Sequence, residues 1–211
     1  AGLLPLRIPR TKWCNLSWLH DDSGFYYSRY PKPDEPGFDA EHEDNYFPRV
    51  FFHALNDQAD AAADPLVWGS ETGTDFPVPS VSTDDGHLVL NVFRGWSASD
   101  VYLYDRSHGP APSEAHPVRT IVQGEDNVTN GFVHAGKFYA HTNRDAPPYR
   151  LVSVPLPLAH EPARWRVVVP DRSAPLQQNV SLDTHPPCGQ YNHCTTSPDI
   201  SVRVVHPRRR Y

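Results

Sequence analysis

The chain has 211 residues, 38% of them hydrophobic and 21% charged, which is enough for one domain with a sizeable core and excludes an acidic disordered chain. No run of about eighteen apolar residues offers a transmembrane helix, so no membrane partner is expected. The formal net charge of −6, relieved only by the short basic cluster from His206 to Arg210, argues against a nucleic-acid partner.

The chain opens on "AGLLPLRIPRTKW", which is basic but broken by Pro5 and Pro9 and does not suit a secretory signal. Cys14, Cys188 and Cys194 are too few for a disulfide scaffold, so the expected setting is reducing and cytoplasmic. The sequons that start at Asn15, Asn127 and Asn179 carry no role in that setting. Prolines, 23 in all, then interrupt the sequence too often for an amphipathic helix of three turns. Between them lie short β-branched and aromatic runs of ordinary strand length: "GFYYSRY", "RVFFHAL", "HLVLNVF", "DVYLYD", "VRTIVQ", "KFYAHT", "YRLVSV" and "WRVVV". The chain reads as nearly all β.

The runs recur as units. Three strand-turn-strand signatures, Ser17 to Tyr27, Ser80 to Leu90 and Thr129 to Tyr139, place Gly24, Gly86 and Gly136 at their turns. Two further strands follow each hairpin, and four strands per unit of about 50 residues is the pattern of a β-propeller blade. The expected organisation is a partial β-propeller over residues 1–180, with blades over about 12–75, 76–123 and 124–172, and a tail of irregular character over 181–211. A β-sandwich also strings short strands together, but it does not require the same signature to recur. The absence of Met and the change of pattern in the tail suggest a piece of something longer.

Candidate chemistry is sparse. Gly95-Trp96-Ser97-Ala98-Ser99 is the nearest approach to a nucleophile elbow, but Ser99 stands where the final Gly belongs and a strand, not a helix, follows. His53 and His141 sit in strands, without a nucleophile for either to activate. His185, Cys188, His193 and Cys194 are zinc-binding types at the wrong spacing for a structural zinc site. The acidic stretch from Asp34 to Asp44 lacks the alternating ligands and central Gly of a calcium loop, so a solvated insertion is expected. Phe25, Tyr26, Tyr27, Tyr102, Tyr104, Phe138 and Tyr139 fall at strand positions and are expected in an inter-blade core. No catalytic, cofactor-binding or metal-binding residue is assigned.

The segments "LSWLHDDSGFYYSRYP", "RVFFHAL", "VSTDDGHLVL", "FYAHTNRDAPPYRLVSV" and "ARWRVVVPD", in that order, resemble the prolyl oligopeptidase family of serine peptidases, and the likeness runs over about residues 12–180. The resemblance implies three blades, and the start of another, of a seven-bladed propeller that caps an α/β-hydrolase domain and restricts access to short peptides. The catalytic Ser, Asp and His of that family lie in the hydrolase domain, outside the matched region. The partners so implied are a peptide substrate in the parent enzyme and that hydrolase domain. The alternative is a binding module that completes its ring by self-association. In "HTNRDAPPYRLVSV" the expectation is that His141 ends a strand, Thr142 to Pro148 form a loop, Tyr149 starts the next strand, and Arg150 anchors loop or blade.

Overall fold

The computed structural model describes residues 6–36, 38, 46–55, 61–70 and 72–170. The tail with its His and Cys residues, the sequon at Asn179 and most of the acidic stretch lie outside the described residues.

Among the described residues, twelve strands follow one another in chain order. They are β1 (Leu16–Trp18), β2 (Gly24–Arg29), β3 (Arg49–Ala54), β4 (Leu66–Gly69), β5 (Phe76–Val81), β6 (His87–Arg94), β7 (Ala98–Asp105), β8 (Arg119–Val122), β9 (Thr129–His134), β10 (Lys137–Thr142), β11 (Arg150–Pro155) and β12 (Arg166–Val169). They form three four-stranded antiparallel sheets, each with its strands ordered as in the sequence, β1 to β4, β5 to β8 and β9 to β12. Each sheet is a meander, and neighbouring sheets pack face to face with β5 between β1 and β9. This is the radial arrangement of propeller blades rather than a sandwich, and the three sheets do not close a ring.

The alternation of side chains along each strand explains the stacking. In β6, Leu88, Leu90 and Val92 join Tyr26, Val50, Phe52 and Val67 in a core between the first two blades. On the opposite face, Val89 joins Val101, Val133, Phe138 and Val152 in a core between the second and third. The outward face of the first blade holds Phe25, Tyr27 and Phe51, covered by Leu6, Ile8 and Cys14 from the chain ahead of β1. The same irregularity appears in every blade: the third strand carries a bulge against the fourth, at Val50/Phe51, Val101/Tyr102 and Leu151/Val152. A bulge sharpens local twist, which suits short outer strands that must curve away from the blade plane.

Polar groups stitch the blades together. The Asn91 amide donates to the carbonyl of Gly131 at 3.0 Å and accepts from its N–H at 2.6 Å. Ser99 and Thr129 form a second reciprocal pair, hydroxyl to carbonyl and N–H to hydroxyl, both at 2.7 Å. Between the first two blades, Ser17 Oγ accepts from the Val81 N–H, and the Asp85 carboxylate accepts from the His20 N–H and ring.

Two details depart from the sequence reading. At the first two hairpin turns the left-handed residues are Asp22 and Asp85, at φ 58° and 54°, whereas Gly24 already belongs to β2. Gly24 is required by space: a Cβ there would stand 2.5 Å from the His53 carbonyl oxygen and 2.6 Å from the Phe52 ring. Tyr149 does not start a strand; it holds φ at 65°, β11 begins at Arg150, and β10 runs on through Thr142. The Tyr149 ring stacks on His141 at 4.7 Å, and that contact compensates a conformation that side chains disfavour.

Replacing Asn91 with Ala strands the buried N–H and carbonyl of Gly131, so a loss of about 2–4 kcal/mol is expected. Gly24→Ala forces backbone to move and is expected to lose about 1–3 kcal/mol. Urea unfolding checks both as a lowered midpoint at unchanged slope.

Candidate functional site

In a four-stranded meander the first-to-second and third-to-fourth connections share one end, the turn end. The second-to-third connections and the passages between blades share the other, the crossover end. The crossover end gathers the pairs Arg29–Glu35, Arg49–Glu35, Arg94–Asp100 and Arg144–Glu125.

In the first blade, Arg29 closes β2 and makes a two-pronged contact with Glu35, both bonds 2.7 Å long. Arg49 at the start of β3 approaches the same carboxylate at 3.6 Å and also donates to the Pro36 carbonyl. The Arg29 hydrogen bonds hold the Glu35 carboxyl down to about 2. Glu35 is thus committed to two guanidinium groups, and the described part of the acidic stretch serves as a clamp for the loop between β2 and β3.

In the second blade, Arg94 closes β6 in the corresponding position. Its Nε donates to Asp100 at 3.1 Å and its terminal nitrogen to the Glu125 carbonyl at 2.7 Å, while Asp100 also accepts the Gly124 N–H at 2.9 Å. Across the passage into the third blade, the Glu125 carboxylate accepts from both Arg144 and the Asn127 amide. Asn143 in turn accepts the Val128 N–H at 2.7 Å. Glu125, Asp126, Asn127, Asn143, Arg144 and Asp145 line an open polar cleft of about 270 Å³. At the blade 1–2 seam of the same end, burial raises the Asp75 carboxyl, with the charge of Asp100 adding to it, and among the described residues Asp75 Oδ1 has no hydrogen-bond partner.

Trp96 stands above this network, fully exposed at 101%, on the tight turn between β6 and β7. The Arg94–Asp100 pair fixes the base of that turn, so the indole is carried on a rigid support. Ser97 beside it is exposed and followed directly by β7, and among the described residues it makes no hydrogen bond to a histidine.

His53 and His141 both have structural partners. His53, 2% exposed, contacts Asp64 through Nδ1 at 2.9 Å, and the same carboxylate accepts the Tyr27 hydroxyl at 2.8 Å. Burial and the hydrogen bond to Asp64 raise the Tyr27 hydroxyl above its usual range. This acid-imidazole pair has no nucleophile beside it among the described residues, and it pins the short 3-10 turn Ala61–Ala63 to β3. His141 is buried in the third blade, stacked on Tyr149. Of the aromatic residues expected in an inter-blade core, Tyr26, Tyr104 and Phe138 lie between blades and Tyr102 packs there half-buried, Tyr139 is buried, and Phe25 and Tyr27 are buried instead on the outward face of the first blade. Arg150 opens β11 opposite Thr142, with its Nε buried and, among the described residues, without a hydrogen-bond partner. The crossover-end network went unread in the sequence, although Arg29 and Arg94 closing the second strand of successive repeats offered a signal.

As chemistry, the crossover end offers paired charges, amides and one projecting aromatic group, which suit contact with peptide or protein surface. Among the described residues it sets up no nucleophile with its base.

Residues 3–185 match the family described as prolyl oligopeptidase, N-terminal beta-propeller domain. The chain is 29% identical over 175 residues to a prolyl endopeptidase of Elizabethkingia meningoseptica, covering 80% of this chain and 23% of that protein. It is 25% identical over 197 residues to prolyl oligopeptidase A of Galerina marginata, covering 86% and 25%. A solved structure from a structural and mechanistic analysis of two prolyl endopeptidases superposes with a TM-score of 0.61 at 26% identity, over 78% of this chain and 22% of that one. Prolyl oligopeptidase B of Galerina marginata shares the fold, with a TM-score of 0.62 at 18% identity over 77% and 22%. The chain therefore spans about a quarter of the length of the relatives it matches.

The Glu35 clamp has a pH signature. Its folded value lies below the ordinary 4.5, so its contribution is complete above pH 4.5 and is lost as pH falls toward about 2. Solvent screening limits the effect to about 1 kcal/mol or less. Stability measured against pH should therefore flatten across this window in Glu35→Gln, and an unchanged slope would refute the assignment.

Proposed function

The chain belongs to the prolyl oligopeptidase family through its N-terminal β-propeller domain, and we propose that it limits peptide access to a hydrolase part that cleaves after proline. The observation that carries this reading is the match over residues 3–185 to that propeller domain, joined to three radially stacked blades. The crossover end supports it, because there Trp96 and the polar cleft offer a surface to peptide or to an apposed domain. In this reading the nucleophile and its base belong to sequence outside these 211 residues. Gating depends on seams that stay shut, so Asn91 and Ser99, buried between blades, set how wide a chain can pass. The reading also retains a cytoplasmic setting.

One observation bears on a second reading. Leu16 and Trp18 pair with Tyr27 and Phe25 on the outward face of the first blade, yet are 50% and 45% exposed. Apolar groups on a blade face favour a cover. Further blades of a longer protein provide one; a second copy of this chain, completing the ring by self-association, would be the other. Light scattering on the purified chain separates them: a stable closed oligomer would favour the module over the access-limiting part.

The 211-residue chain is expected to leave a proline-containing chromogenic peptide uncleaved. Turnover that disappears in Ser97→Ala would overturn the proposal. In the complete enzyme, Asn91→Ala is expected to raise cleavage of longer proline peptides relative to short ones. An unchanged length preference in a variant that remains folded would remove the gating role.

A further inference from the structure

At the crossover end Arg29, Arg49, Arg94 and Arg144 are all committed to carboxylates. The turn end of the third blade is different. Lys137 at the start of β10, Arg166 at the start of β12 and Arg164 on the loop between β11 and β12 line one cleft of about 590 Å³. Among the described residues no Asp or Glu lines it. Lys137 and Arg166 form no ion pair among the described residues, and Arg164 has only Glu161, three residues before it, at 3.9 Å. Register explains the grouping. Lys137 lies opposite Pro155 and Arg166 opposite Ser153, so β10 and β12 bring their charges to β11 from either side.

The rest of the lining is largely apolar, with Val154, Pro155, Leu158 and Trp165. The Trp165 indole donates to the Ala159 carbonyl at 3.0 Å, and its ring packs against Phe138 at 5.7 Å. The N–H groups of Arg164 and Trp165 close their turn onto the Glu161 and Pro162 carbonyls at 2.8 and 3.1 Å. This wall is set before any ligand arrives, which lowers the ordering cost of binding. Three like charges around one space repel one another, and a bound anion removes that cost. In a chain of net charge −6 the cleft is a local reversal of sign.

We propose that this cleft docks an acidic peptide segment, with carboxylates on Lys137, Arg164 and Arg166 and an aliphatic side chain against Val154, Pro155 and Leu158. Its volume falls in the range of about 300–1,000 Å³ that ligand clefts occupy. A nucleic acid fits less well, because the net charge of the chain repels a long polyanion. Trp165, the one aromatic group of the lining among the described residues, is held against Phe138 and does not offer its face to a base. The cleft lies at the opposite end of the blades from Trp96, so it stands apart from the access-limiting reading and is tested without any cleavage assay.

The test is fluorescence anisotropy of the full chain with a fluorescein-labelled peptide of repeated Glu-Asp-Leu, in low salt at neutral pH. The peptide should bind the wild type, and its Gln-Asn-Leu counterpart should bind at least about tenfold more weakly. Lys137→Gln/Arg166→Gln should weaken the acidic peptide at least about fivefold, and so should a rise in NaCl to about 300 mM. Both replaced groups are exposed, so this variant is expected to keep its thermal midpoint. Arg164→Gln, whose side chain is 63% exposed, is an independent second variant and should weaken binding in the same direction. Two controls separate the cleft from charge in general. Lys12→Gln/Arg119→Gln removes the same charge from exposed positions elsewhere, and Arg208→Gln/Arg209→Gln/Arg210→Gln removes the basic cluster of the sequence end. Each control should bind as the wild type does. No binding by the wild type, equal binding of the uncharged peptide, an equal loss in either control, or tighter binding of a labelled oligothymidylate would each overturn the proposal.

Discussion

The second strand of each blade is buried on both faces, and the rest of the structure follows from that constraint. Every residue of β2 is buried, as are the central residues of β6 and all of β10 after Lys137. A strand with two apolar faces needs a cover on either side, so a single blade of this sequence has no stable form alone. Fully burying a Leu, Val or Phe side chain stabilises by about 1.5–3 kcal/mol. Stacking blade on blade is the arrangement that gains this on both faces of β6 at once.

Such packing leaves the polar backbone of the inner strands close to the next blade, and the seam residues answer that need. Asn91 serves both groups of Gly131, and Ser99 serves both groups of Thr129. Gly131 permits the approach, since a Cβ would stand 2.6 Å from the Phe138 ring. With the seams thus closed by apolar contact and short hydrogen bonds, variable chemistry is pushed to the two ends. The crossover end carries fixed ion pairs and the Trp96 projection, while the turn end carries the strap by which Arg106 and Pro110 reach Tyr26 of the first blade.

Much of the fold was legible because the strand signal is local. Runs such as "HLVLNVF" and "DVYLYD" bury both faces, and each lies within a strand of the structure. The turn residues were read less well. A glycine beside Asp suggests the left-handed position, but Asp22 and Asp85 adopt it themselves, and Gly24 answers a clash with β3, a strand brought near only by folding. Tyr149 was misread as a strand residue because its ring contact with His141 is also tertiary. At the candidate site, Arg94, Asp100, Glu125 and Arg144 come from separate stretches that share an end only once the meander is built.

The sequence by itself determined the all-β class, the fourfold strand repeat and the family, because alternation, punctuation and motif order are carried by neighbouring residues. It also carried the chemical inventory, twelve histidines among it. Only the tertiary structure decided which charges pair and which glycine is there for space. Those properties depend on distances between residues far apart in the chain, and antiparallel pairing and blade stacking set such distances.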